Sequence, residues 1–440
     1  MKINIEKLYI CLILLVLITS FSLEPLPMRG ISTNSDDFSN SVSTSSTQDI
    51  FWPGNSSEWT EVVPETQGLN SSKIAEMFEF IENASYDIHS VIIVRNGYLL
   101  VYEYLQNSEI FTHIDGSKTY PWGLLHDQAS TTKSLMSIVI GIALQEGFLD
   151  NVSQTLYEFF AHIWDANFTD SELKKDITIE QLLTMNSGLV GEGPLYPPNA
   201  KTLLDSYGSI KWALDLVPLI FTPGQAGAFE YSNDGPNLLS GIITNVTGKS
   251  TEEFAKEYLF EPLGISEDEY SWWHDDYNIS SGGYGFFCSP KVQAKLGMLC
   301  LNNGTWNGKQ IVDKDYMKDA TTHQITGWSD YGYLFYINIS VMTTDFFGLP
   351  IIIEYDGYYT VGAGGQCIYV LPKYNIVVCF TASDGGPYEK MIFDYVLQFV
   401  PVTGSNNPGI PGFDLNMIFL MVLCATAVII FRRKKISKNS

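Results

Sequence analysis

Histidine and cysteine are scarce in this sequence, with six of each among 440 residues. The six His (His89, His113, His126, His162, His274 and His323) show no H-E-x-x-H or paired ligand spacing, which argues against a metal enzyme, and no cofactor is expected. The Cys are not spaced as zinc ligands either. A Gly-x-Ser-x-Gly nucleophile elbow is absent, which argues against the α/β-hydrolase type of serine enzyme. Basic residues are few as well. The 25 Lys and Arg against 49 Asp and Glu leave a net charge of −24 and no basic stripe, so nucleic acid is not an expected partner. The acidity reads as a solvated outer surface. Only 17% of residues are charged and 45% are apolar, enough to bury a large core. There is no internal repeat.

What is present starts at the two ends. Lys2 and Lys7 precede the apolar run Leu8–Ile18, and Ser20-Phe21-Ser22 supplies small residues, so 1–22 reads as a secretory signal peptide, with an uncleaved anchor as the alternative. Residues 23–50 and 403–412, rich in small and polar residues, read as linkers around a folded domain at 51–402. Phe413–Phe431 is apolar apart from Asp414 and Asn416. At 1.5 Å per residue, about 19 residues span about 28 Å, which matches a bilayer core. Arg432, Arg433, Lys434 and Lys435 follow, and the positive-inside bias puts the tail 432–440 in the cytoplasm and the domain outside. The expected protein is single-pass, held in the cell membrane by its C-terminal helix with an extracytoplasmic domain.

An exported domain would meet glycosylation and oxidation. N-x-[ST] acceptors stand at Asn55, Asn70, Asn83, Asn151, Asn167, Asn245, Asn278, Asn303 and Asn338. Cys11 and Cys424 fall in the terminal apolar segments, leaving Cys288, Cys300, Cys367 and Cys379. Cys367 and Cys379 are equidistant from Lys373 in the hairpin-like QCIYVLPKYNIVVCF. Two readings stand, a cross-strand disulfide or buried free thiols.

In the domain, HSVIIVRNGYLLVYEYL at 89–105 holds two β-rich runs around Asn96-Gly97, a tight-turn pair. Leu349–Phe380 holds three more runs, broken at Asp356-Gly357 and at Pro372–Asn375, and Tyr388–Val400 reads as a helix. Between about 130 and 320 the apolar spacing is mostly helical, as in KSLMSIVIGIALQEGF. Strands near both ends with helices between them predict an α+β domain: one sheet built from both termini, packed against a mainly helical insertion.

Three segments carry chemistry. Ser130 and Lys133 are three residues apart, so a helix sets hydroxyl and amine on one face, about one turn apart. The pair works only if burial lowers the lysine pKa, and the following LMSIVIGIAL supplies an apolar helix. Ser171 and Lys174 repeat the spacing, but their charged neighbours read as an N-cap on a solvated helix. The second segment is Tyr231-Ser232-Asn233, on a loop marked by Pro223, Gly224 and Gly227 before a helix beginning near Pro236. Beside a lysine ammonium the Tyr231 phenol would be acidified and relay a proton. The rival Tyr336-Ile337-Asn338 lies in a strand-like run and reads as sheet core. The third, Gly362-Ala363-Gly364-Gly365-Gln366, either offers backbone N–H groups to an oxyanion or is a simple bulge.

In this order and at these spacings the three segments resemble the serine β-lactamase-related hydrolases, the group of class C β-lactamases, D-alanyl-D-alanine peptidases and 6-aminohexanoate-dimer hydrolases. The likeness runs through most of residues 85–400 and includes TIEQLLTMNSGL at 178–189 and GGQCIYVLPKYNIVVCF at 364–380. It implies a β-lactamase/transpeptidase-like fold, with Ser130 as acylated nucleophile, Lys133 as base and Tyr231 as proton relay. It also implies that Asn233 and Gln366 orient the substrate and that backbone N–H groups of Ser130 and of Ala363, Gly364 or Gly365 form an oxyanion hole. Penicillin-recognising members carry K-T-G or H-x-G at the third motif. Here Gly362-Ala363-Gly364 lacks the cation and resembles the G-x-x-G-Q of the amide- and ester-cleaving branch. The resemblance therefore implies an amidase or esterase acting on a small-molecule or peptide-like acyl substrate. The alternatives are a true β-lactamase or D-amino-acid peptidase, and a surface binding or sensing protein that kept the fold without turnover.

Overall fold

A computed structural model describes residues 50–400 except 85, 106–110, 113–117, 120–124, 196, 198–206, 326–329, 345–349, 398 and 399. The expected signal peptide, nearly all of the first linker, the second linker, the membrane helix at 413–431 and the basic tail lie outside the described residues. Among those described, no helix is long and apolar enough to cross a membrane.

Six strands form the main sheet: β1 (Ile88–Arg95), β2 (Tyr98–Tyr104), β3 (Tyr336–Thr344), β4 (Pro350–Gly362), β5 (Gln366–Leu371) and β6 (Ile376–Ala382). Their order is β3-β4-β5-β6-β1-β2, and every neighbouring pair is antiparallel. The β1–β2 hairpin turns where the sequence places it, with Asn96 at φ 52° and Gly97 at φ 82°, the left-handed region that Gly and Asn reach most cheaply. Because β1 pairs with β6, both ends of the domain meet in one sheet, as expected. Asp356-Gly357 does not end a strand, however. Across β3 and β4, Ile337 pairs with Tyr358 and Ile339 with Tyr355, so two residues of β4 oppose the single Asn338. The Asp-Gly signal marks a bulge in a continuous strand instead of a turn.

The sheet separates two apolar cores, and strand residues alternate between them. Ile92, Val94, Ile368, Val370, Val377 and Cys379 face the helical side. Val91, Ile93, Cys367, Tyr369, Val378 and Phe380 face the other, covered by α1 (Ser71–Ala84) and the helical segment Tyr388–Val396. On the helical side lie α2 (Thr131–Gln145), α3 (Asp234–Thr247) and α4 (Pro290–Leu301). Every residue of α2 from Thr131 to Ala143 is buried, so α2 is a central helix with no wet face.

This alternation separates the two cysteine readings in favour of buried free thiols over the Cys367–Cys379 disulfide. Cys367 pairs with Phe380, and Ile368 with Cys379. The four-residue connection between Leu371 and Ile376 shifts the register by one from the symmetric count about Lys373. A one-residue shift sends the two thiols to opposite faces. Cys288, Cys300, Cys367 and Cys379 are all free and buried. Denatured without reductant, the peptides carrying Cys367 and Cys379 are expected to take up a thiol label in full; an unlabelled pair that appears only after reduction would overturn the register. Of the nine sequons, Asn338 is half-buried and the other eight are exposed.

Candidate active site

The nucleophile candidate sits at a strained corner. Ala129 holds φ 45°, costly for a residue with a Cβ, and its N–H is fixed by Asp127 Oδ1 at 2.8 Å. This turn sets Ser130 half-buried at the mouth of α2, in helical conformation at φ −69° and ψ −10°. One turn in, Lys133 is only 1% exposed. Its Nζ donates to Ser130 Oγ at 3.1 Å, Asn233 Oδ1 at 2.6 Å and Gly283 O at 2.7 Å. Burial drives its pKa down to about 7, against the opposing pull of the Glu192 and Asp234 carboxylates. Near neutrality about half the molecules carry an uncharged Lys133, which can accept a proton from the hydroxyl it touches.

Among the described residues two other lysines are buried as deeply, Lys174 and Lys295. Lys174 donates to the carbonyls of Ala213 and Leu214, and Lys295 to those of Gly54, Leu263 and Gly264. Both satisfy main-chain acceptors and touch no nucleophile. The expectation of a solvated helix at Ser171 is therefore corrected. Asp170 is the N-cap, Ser171 is buried, and its Oγ donates to Asp165 O while accepting from Trp164 Nε1. Glu172, Leu173 and Asp176 are wet while Ser171 and Lys174 are not, because a single helical turn exposes one side and buries the other.

Tyr231 and Asn233 come to Ser130 and Lys133 from the loop before α3. The Tyr231 ring lies 4.7 Å from Lys133 Nζ, and Ser130 is near enough to act on the phenol's pKa. The phenol is not acidified, contrary to expectation. Burial pushes it up to about 12, outweighing the lowering effect of Ser130. The lysine meets the face of the ring, and its own charge is suppressed by burial, so it cannot act as the counterion the phenolate would need. Tyr231 is thus a neutral hydrogen-bond donor and acceptor at the site. Asn233 is fixed at both ends of its amide: Oδ1 accepts from Lys133, and Nδ2 donates to Glu192 Oε1 at 2.9 Å.

The third segment is the three-residue turn between β4 and β5, where Gly362 pairs with Gln366. It abuts the Ser130 corner. A Cβ on Gly362 would lie 2.2 Å from Gln128 O, and Thr131 Oγ1 donates to Gln366 O at 3.1 Å. Among the described residues neither the N–H of Ser130 nor that of Ala363 donates to a backbone carbonyl. Backbone N–H groups left without a described carbonyl partner are the kind of donor that can receive an oxygen gaining negative charge. Gln366 does not point there. Its side chain is buried and its Nε2 donates to Ala382 O at 2.5 Å, so a direct hold on substrate is corrected to a tie between neighbouring strands. Tyr336, set aside as sheet core, lies in β3 stacked on Tyr359, with centroids 5.4 Å apart.

Two participants were not legible beforehand. Gly283 O is a main-chain acceptor and has no residue-type signature. A Cβ there would come 3.1 Å from Asn233 O, and the glycine lets the chain pass that close. Glu192 is exposed in a Gly- and Pro-rich stretch and resembles any surface acid. It is held by its neighbour, since Gly191 N–H donates to Glu230 Oε1 at 3.0 Å, beside Tyr231.

With this geometry in view, the comparisons are concordant. The sequence matches the family model described as Beta-lactamase over residues 83–400. Protein flp of Staphylococcus aureus (strain N315) is 27% identical over 210 residues, which cover 47% of this chain and 39% of that protein, well short of the relative's full length. A penicillin-binding protein homolog from Caulobacter crescentus superposes with a TM-score of 0.54 at 15% identity, covering 76% of this chain and 97% of the other. A family VIII carboxylesterase superposes with a TM-score of 0.53 at 16% identity, covering 74% and 96%. At such identities the structural matches show a shared fold.

Proposed function

The chain belongs to the Beta-lactamase family, whose model it matches over residues 83–400, and on that basis we propose that it is a serine hydrolase that cleaves an amide or ester through an acyl-enzyme on Ser130. The observation that carries this reading is the contact of a buried Lys133, its pKa lowered by that burial, with the Ser130 hydroxyl. Lys133 takes the proton as Ser130 Oγ attacks the substrate carbonyl. The N–H groups of Ser130 and Ala363 receive the oxyanion. Tyr231, neutral throughout, passes a proton to the leaving group and is resupplied by Lys133; Lys133, uncharged again, takes a proton from the water that attacks the acyl group, and returns it to Ser130 Oγ as the acid departs. Asn233 holds Lys133 in line. Among the described residues the contacts on the site include no cation besides Lys133 to pair with a substrate carboxylate, and Gly362 stands where penicillin-recognising members carry one; this supports an amidase or esterase over a β-lactamase or carboxypeptidase.

A fluorophosphonate probe tests the reading. Intact-protein mass spectrometry is expected to show one adduct, mapping to the Ser130 peptide. No adduct, or one that persists in Ser130→Ala, counts against it. Hydrolysis of any simple ester that depends on Ser130 excludes the alternative of a binding protein without turnover.

Glu192 supplies a finer test. Lys133 is faced by Glu192, Asp234 and the Tyr231 ring, and the carboxylates favour its charged form. Glu192→Gln keeps an acceptor for Asn233 and removes one negative charge. The acid limb of kcat/KM is therefore expected to move to lower pH. A limb that moves up, or stays put, contradicts the electrostatic role.

We place the domain outside the cell, anchored through 413–431. The apolar length of that run, the four basic residues after it and the exposed sequons support this. Carbonate extraction of the full chain from expressing cells is expected to leave it in the membrane fraction, and a chain ending at 402 in the supernatant.

A further inference from the structure

The oxyanion role given to Ala363 leaves open what aims its N–H, since a turn of Ala and two Gly is intrinsically mobile. Every carbonyl of that turn meets a donor. Gly362 O accepts from Gly365 N at 3.0 Å and Gly364 O from Gly385 N at 3.1 Å. Ala363 O faces Gln366 Nε2 at 3.5 Å, and Gly365 O accepts from Tyr388 Oη at 3.0 Å. Across a trans peptide the carbonyl of one residue points opposite to the N–H of the next. Holding Gly362 O inward therefore turns the Ala363 N–H outward, and holding Ala363 O does the same for Gly364. Gly365 N does the first of these, and Gly365 is itself fixed by Tyr388. The fit is close: a Cβ on Gly365 would lie 2.2 Å from the Tyr388 hydroxyl, and Gly365 has φ 95°. Tyr388 is buried, its ring stacked on Phe380 with centroids 4.3 Å apart, so the hydroxyl has little room to move.

We propose that Tyr388, from the far core of the sheet, is a positioning residue that aims the Ala363 N–H at the oxyanion by pinning Gly365. This rests on the acyl-enzyme reading above. Ground-state binding needs little from a donor aimed at a developing charge, so loss of the pin should appear in kcat more than in KM. In Tyr388→Phe the ring and its stacking remain, while Gly365 O loses its donor. With a p-nitrophenyl ester, kcat is expected to fall about 10- to 100-fold and KM to change by less than about twofold, bounded by the loss of one oxyanion donor. Affinity for an arylboronic acid, which forms a tetrahedral adduct on the serine, is expected to fall in parallel. Gln366→Leu, which frees Ala363 O and the strand tie, is expected to shift the same two readouts in the same direction. A Tyr388→Phe enzyme whose melting temperature drops while kcat, KM and boronate affinity hold would show a merely structural hydroxyl and overturn the proposal. Boronate binding and ester turnover absent from the wild type would instead overturn the hydrolase reading, and this inference with it.

Discussion

Ser130→Ala is expected to lower kcat for an activated ester by about 10⁴- to 10⁶-fold, Lys133→Met nearly as far, and the double variant no further than the worse single one. The nucleophile and its base act as one unit. Once the hydroxyl is gone there is no proton for Lys133 to take, and without Lys133 the serine stays protonated at neutral pH. Wild-type kcat/KM is expected to rise through about pH 7, because Lys133 must be uncharged to act and its pKa is lowered from 10.5 to about 7 by burial. That limb should vanish from the residual activity of Lys133→Met. Steady-state kinetics between pH 5 and pH 9 on the three variants check this, and single effects that multiply in the double variant would show that the two residues act independently. Lys133→Met also takes the lysine donor from Asn233 Oδ1 and Gly283 O, at about 1–3 kcal/mol for the buried Gly283 carbonyl and less for the half-buried Asn233 amide. Removal of a buried charge offsets part of that cost, so thermal unfolding of the variant belongs beside its kinetics.

Much of this site could be read in the sequence because side-chain type and local spacing carried it. Ser130 and Lys133 share a helix face by period alone, and the apolar residues after them announce burial. Their rival at Ser171 shows what spacing leaves out. Lys174 is as buried as Lys133, yet it ends on the carbonyls of Ala213 and Leu214, about 40 residues away in sequence. Partners of that kind are set by tertiary packing and leave no mark on residue type. The same holds for Gly283, which acts through its own carbonyl, and for Tyr388, whose hydroxyl meets the carbonyl of Gly365. In the sheet, the hairpin at Asn96-Gly97 was legible because its turn needs those residues. The Cys367–Cys379 relation was not, because a one-residue change in register swaps faces while the sequence pattern barely changes. The Tyr231 pKa failed for an electrostatic reason: the local rule of a neighbouring cation was outweighed by desolvation of both groups.

That last correction leads to a sharp expectation for Tyr231→Phe. With its pKa raised to about 12, Tyr231 keeps its proton throughout the working range and serves by handing it on, from Ser130 or Lys133 to the departing atom. A p-nitrophenolate leaves without a proton, whereas an alkoxide or an amine must receive one as the bond breaks. The variant is therefore expected to lose about 10²- to 10⁴-fold in kcat/KM on alkyl esters and amides, the range of general acid catalysis, and much less in the acylation burst with p-nitrophenyl esters. Comparing burst and steady-state rates on the two substrate types separates the steps. Equal losses on both would mean that Tyr231 activates Ser130 and not the leaving group. The wild type is also expected to show no basic limb below about pH 10, since a phenol acidified by the lysine would lose its donor proton there and this one does not.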